Sequence, residues 1–115
     1  MNNWTNITTE SIGIYLSPIQ LAALRQHGDP LQYIINDIVA WVRSEIQCHN
    51  DDPTTVPLSL KTATCHLVIE ALQSRIPTLK LTEDQVRNAN NARLHIQRAP
   101  AIAHGRTYTQ TLLDL

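Results

Sequence analysis

The chain has 115 residues, 9 Lys plus Arg against 10 Asp plus Glu, 43% hydrophobic and 17% charged residues. Those values describe a single domain over 1-115, large enough to bury roughly two-thirds of the surface its unfolded chain exposes. They exclude a strongly basic or acidic chain and leave the core in no need of a metal or a disulfide.

No apolar run reaches the length of a membrane span, and the start, MNNWTNITTE, has no basic flank leading into an apolar stretch. A cytoplasmic protein without anchor or export signal is expected. Cys48 and Cys65 then read as small buried hydrophobes in a reducing compartment. The sequons Asn3-Trp4-Thr5 and Asn6-Ile7-Thr8 have no route to glycosylation and are taken as chance.

Residues 1-16 lack a helical stripe and are expected to form an irregular N-terminal arm. The first helix opens at Ser17 as N-cap, with Pro18 in the first helical position and Gln20 placed for a capping box. Leu16 and Leu21 can staple it, and it should end near Gly28. The second opens at Asp29, followed by Pro30, and runs to about Cys48. Leu31, Ile34, Ile35, Ile38, Val42 and Ile46 follow one helix face, widened by Val39 and Trp41, so most of this helix should be buried. The nine residues from His49 to Pro57 form the longest interior loop, polar and exposed.

A third helix is expected over 58-76, with Leu60, Ala63, Leu67, Val68, Ala71, Leu72 and Ile76 at helical spacing and Pro77 blocking continuation. The fourth opens at Thr82, where Gln85 completes a capping box and Leu81 faces Val86. Gln85, Ala89, Ala92, Ile96 and Ala99 share one arc. An alanine-rich stripe buries less area than leucine, so this helix should dock most weakly, by packing closely or by sharing contacts with a neighbouring subunit. Residues 104-115 are expected to form a C-terminal arm. The fold class is all-α, a compact four-helix domain of one short helix, two long core helices and a final alanine-rich helix, with irregular arms at both ends.

Charge is uneven: residues 1 to 60 hold Arg25 and Arg43 against six carboxylates, 2 minus 6 or −4. Residues 77 to 106 hold five cations, Lys80, Arg87, Arg93, Arg98 and Arg106, against Glu83 and Asp84, 5 minus 2 or +3. Head-to-tail self-association would bring these segments together; solvation of outer faces is the simpler alternative.

The pairs Cys48-His49 and Cys65-His66 contain metal-ligating groups, but adjacent helical residues diverge by about 100° and do not converge on one ion. No metal or other cofactor is expected. Asp51 and Asp52 form a loop carboxylate pair without the glycine of a calcium loop, and a turn before Pro53 and Pro57 accounts for them. No nucleophile sits in a recognisable elbow, so no catalytic residue is assigned and an enzyme is not expected. A helix-turn-helix reading of the first two helices fails on charge, since the second offers Asp37 and Glu45 beside Arg43. The final helix, with Arg87, Asn90, Asn91, Arg93, Gln97 and Arg98, is the better basic candidate for a DNA-binding or regulatory module.

The order Tyr15-Leu16-Ser17-Pro18 with Leu21, then Ile35-Asn36-Asp37-Ile38, then Val56-Pro57-Leu58-Ser59-Leu60-Lys61, then Ala89 through Ile96, resembles the small helical head-tail connector, or neck, proteins of tailed phages and prophages. The resemblance spans 15-105. The sequence departs from that family's pattern at His49 to Thr55, which is acidic and lacks aromatic residues, and at Pro100, which interrupts the last helix early. The resemblance implies a structural role in a homo-oligomeric ring between portal and tail proteins, with DNA passing through its channel rather than being specifically bound. It implies no catalysis, cofactor or membrane, and a location in the bacterial cytoplasm during assembly and in the virion neck afterwards. On that reading the loop Asn50, Asp51, Asp52 lies near the lumen, where carboxylates repel phosphate. Arg87, Ala89, Ala92, Arg93, Ile96 and Arg98 then supply the subunit interface. A bacterial interaction protein unrelated to phage is the third reading.

Overall fold

A computed structural model of the chain describes residues 4-27, 31-47 and 50-98. Along them run β1 (Trp4–Asn6), α1 (Thr9–Gly13), α2 (Pro18–His27), α3 (Leu31–Glu45), β2 (Thr55–Pro57), a 3-10 turn (Leu58–Leu60), α4 (Lys61–Arg75) and α5 (Glu83–Arg98). The domain is mostly helical, as its composition and apolar spacing require.

Helix starts follow local chemistry. At α2, Ser17 Oγ accepts from the Gln20 N–H (3.2 Å) while the Ser17 N–H donates to Gln20 Oε1 (2.9 Å). At α5, Thr82 Oγ1 accepts from the Gln85 N–H (3.1 Å) and the Thr82 N–H donates to Gln85 Oε1 (2.9 Å). Both are the reciprocal boxes expected of Ser/Thr-x-x-Gln. The proposed cap at Asp29 and the Cys48-His49 pair lie outside the described residues, as do Ala99, Pro100 and the C-terminal arm. The helix that was expected to reach Cys48 stops at Glu45, and Gln47 enters the left-handed region at φ 52°, a geometry that turns the chain out of a helix.

The core contains Ile34, Ile35, Val39, Val42 and Ile46 from the α3 segment. Leu67, Val68, Leu72 and Ile76 from α4 and its C-terminal end face them, closed by Ala89, Ala92 and Ile96 of α5. The most extensive helix pair is α4 with α5, followed by α3 with α4. Weak docking of the last helix is therefore corrected: alanine contributes little area but lets two helix backbones approach closely, and the seam forms within one chain.

Residues 4-16 also differ from an irregular arm. β1 pairs antiparallel with β2, Trp4 opposite Pro57, Thr5 opposite Val56 and Asn6 opposite Thr55. Thr8 caps α1 through its hydroxyl, which accepts from the Ser11 N–H (3.1 Å). Ile7, Ile12 and Leu16 are buried. The strand is too short, and α1 too brief, to leave a periodic signal. The loop before α4 is likewise only partly exposed, since Thr55 and Val56 are buried in β2.

Candidate functional site

The loop from Asn50 to Thr55 is shaped by one cation. Arg43, on the last turn of α3, donates from Nη1 to the Thr55 carbonyl (2.8 Å) and from Nη2 to the Asn50 carbonyl (3.1 Å). Its guanidinium carbon lies 5.9 Å from the Trp4 ring centroid, within cation–π range. Asn50 is half-buried and its side chain donates to Thr55 Oγ1 (2.9 Å). Asp51 and Asp52 are exposed. Asp52 Oδ1 accepts from the Thr54 N–H (3.0 Å) and the Thr54 hydroxyl (2.7 Å), the local turn chemistry its composition predicts. Those two bonds, with the charge of Arg43, hold the Asp52 carboxyl below the ordinary aspartate range. The turn therefore presents two carboxylates to solvent on a backbone fixed by Arg43.

Beside it an open groove of about 550 Å³ runs between the β1–α1 junction and α3. Ile7, Ile35 and Val39 line it along with Asn6, Gln32 and Thr54, and its lining includes no titratable side chain. It offers hydroxyl and amide groups but no general acid or base.

On α4, Cys65 points into the core while His66 is half-buried against Tyr15, ring centroids 4.9 Å apart. Adjacent residues thus diverge, as helix geometry demands. Among the described residues no three His, Cys, Asp or Glu side chains come together as metal ligands. Burial pushes the Cys65 thiol up to about 11, against the opposing charge of Lys61. Its alkylation in the native protein should run about a hundredfold slower than in the unfolded chain at equal pH, from thiolate fraction alone. Site-resolved mass spectrometry after iodoacetamide treatment checks this, and equal native and unfolded rates would refute it.

Burial also holds the His66 imidazole below its ordinary 6.5. A depressed histidine favours the neutral form in the folded state, so its contribution is complete above the unfolded value and is lost as pH falls through it. The urea midpoint should drop between about pH 7.5 and 5, and by less in His66→Gln. Since the ring is only half-buried, the change is small beside that of a core truncation.

The proposed interface residues separate into two sets. Ala89, Ala92 and Ile96 are consumed by the seam with α4, exposed by 0%, 5% and 0%, so they are unavailable to a partner while α5 stays docked. Arg93 donates to Glu70 of α4 across the same seam. Arg87 and Arg98 are exposed, and Arg87 pairs with Asp84 at 3.1 Å, a surface contact of little energetic weight. The sequence pattern found the α5 arc but not which surface would cover it.

A further feature joins α2 to α5. The two capping glutamines face each other: Gln20 Nε2 donates to Gln85 Oε1 (2.7 Å) and Gln85 Nε2 to Gln20 Oε1 (2.9 Å). Their remaining N–H groups reach the Lys80 carbonyl (2.8 Å) and the Tyr15 carbonyl (3.2 Å). Each capping box was legible in sequence, but nothing in sequence showed that one would be docked on the other. No helix among the described residues is long and apolar enough to cross a membrane. Compared with known protein families, curated proteins and solved structures, the chain gives no match.

Proposed function

We propose that the chain is a structural subunit of a phage or prophage head-tail connector, assembling between portal and tail around the path of the DNA. The order of structural parts carries this reading: a capped short helix, a long helix, a loop, a proline-led core helix and a last helix laid along it. It is an analogy at the level of fold and segment order. The Arg43-held turn supports it locally, because Asp51 and Asp52 facing a lumen would repel phosphate and keep DNA moving.

The test is made on particles. Disrupting the gene in the phage or prophage that carries it should give DNA-filled heads and free tails that do not join, with joining restored by supplying the chain in trans. Normal particles would overturn the reading. Neutralising Asp51 and Asp52 together should slow DNA passage while particles still assemble, and unchanged passage would remove the lumen assignment.

A second reading, a DNA-binding or regulatory module, is favoured by one observation: Arg87, Asn90, Asn91, Gln97 and Arg98 are all exposed on α5, residue types that read phosphates and base edges. It requires binding to duplex DNA that weakens steeply with salt and is lost on neutralising Arg87 and Arg98.

A further inference from the structure

Two helices turn matching stripes away from the core. On α3 the positions opposite the buried face are Tyr33, Asp37, Ala40 and Ser44, all exposed. On α5 they are Arg87, Asn91, Leu94 and Arg98, also all exposed. Both sets follow the spacing i, i+4, i+7, i+11, the repeat that keeps side chains on one line of a helix. The helices have 15 and 16 residues, so at about 1.5 Å per residue their stripes are nearly equal in length.

The stripes differ in charge and agree in apolar content. Tyr33 is 74% exposed and Leu94 49% exposed, each the large apolar residue of its stripe. Asp37 is the charged residue of the α3 stripe, whereas the α5 stripe is flanked by two arginines. Ala40 and Ser44 are small enough to let a second helix approach. All eight residues are exposed, so the two stripes do not cover one another within one molecule.

We propose that the outer stripe of α5 docks on the outer stripe of α3 of a second copy, Leu94 seated beside Tyr33 and Ala40, with Asp37 facing Arg98, one turn further along α5. The contact is heterologous: each copy offers one stripe of each kind, so repetition generates a closed ring or an open chain. This sharpens the connector reading by naming the faces through which subunits meet, and it replaces Ala89, Ala92 and Ile96 as interface residues. DNA is the poorer occupant of the same α5 stripe. Leu94 sits between the arginines, and Glu83 and Asp84 stand in the first turn of the helix, where they repel phosphate.

The experiment is a charge exchange read by light scattering and sedimentation, over a concentration series into the millimolar range, with and without duplex DNA. Wild type should gain mass with concentration. Asp37→Arg alone, and Arg87→Glu with Arg98→Glu, should each stay monomeric, since each places like charges on both stripes. Their equimolar mixture should recover the wild-type mass, because each supplies the complement of the other. All three positions are exposed, and unchanged thermal melts of the variants will show that the fold is kept. A monomeric wild type, assembly indifferent to either variant, a mixture that stays monomeric, or an α5 stripe that binds duplex DNA in place of a second copy would each overturn the inference. None of these results depends on head-tail joining in particles, so this inference and the connector reading can fail separately.

Discussion

Replacing Leu72 by alanine lowers the stability of the domain by about 2–5 kcal/mol, the range for truncating a buried leucine where neighbours cannot fully collapse into the space. Leu72 is fully buried on α4, the helix that packs against both α3 and α5. The deleted methyl groups would leave a cavity on a helix held from two sides, where relaxation is restricted, which puts the cost toward the upper part of that range. The measurement is urea denaturation, with a lower midpoint at unchanged slope. Leu58→Ala and Leu94→Ala are the controls. Those leucines are 50% and 49% exposed, and their truncation should cost no more than about 0.5–1 kcal/mol, consistent with the area they bury. Equal losses at Leu72 and Leu94 would mean that the outer face of α5 is not the outer face.

The second large effect is expected from Gln20→Glu. By local rules the change is harmless, since glutamate serves a capping box as well as glutamine does. The tertiary structure reverses that. Gln20 is 6% exposed, and its Nε2 donates to the Lys80 carbonyl and to Gln85 Oε1. A carboxylate there would aim negative charge at two acceptors in a largely dry site: the Lys80 carbonyl loses this donor and Gln85 Oε1 keeps only the Thr82 N–H, while the Ser17 N–H and Gln85 Nε2 still reach the other carboxylate oxygen. A loss of about 2–4 kcal/mol follows, the cost of burying a charge with no cation beside it and with acceptors facing one of its oxygens. The loss should shrink on acidification, because a protonated glutamate regains one donor. Gln20→Ala and Gln85→Ala should be strongly non-additive, coupled by about 1–3 kcal/mol as groups in one network are. Additive losses would show that the two glutamines do not exchange hydrogen bonds.

Helix α2 explains why that exchange matters. Its buried residues are Gln20 and Ala23, and Ile19 stands 81% exposed. Such a helix gains little from apolar area, so a large share of its docking rests on the glutamine pair and on half-buried Leu21 and Leu24. Ile14, on the turn before it, is 77% exposed. The α1–α2 corner therefore carries two exposed isoleucines, Ile14 and Ile19.

Much of this fold is written in sequence because it rests on interactions within a few residues. Ser17 with Gln20 and Thr82 with Gln85 set two helix starts through bonds that span three residues, so pattern alone locates them. The apolar period of α3 assigns its inward face, since only one face of a helix can be covered by one neighbour, whereas α4, packed by α1, α3 and α5, also buries Thr64, Cys65 and Ile69 off its apolar stripe. Pro77 stops α4 whatever surrounds it, and Asp52 turns the loop by bonding Thr54 two residues on. Tertiary structure decided what depends on distant partners. Only pairing with Thr55–Pro57 makes Trp4–Asn6 a strand. Only proximity lets Arg43 hold the Asn50 and Thr55 carbonyls. The arc of Ala89, Ala92 and Ile96 was visible as an apolar face, but whether its cover was α4 or another molecule was not. Periodicity fixes the direction in which a side chain leaves its helix, and three-dimensional packing alone fixes what it meets there.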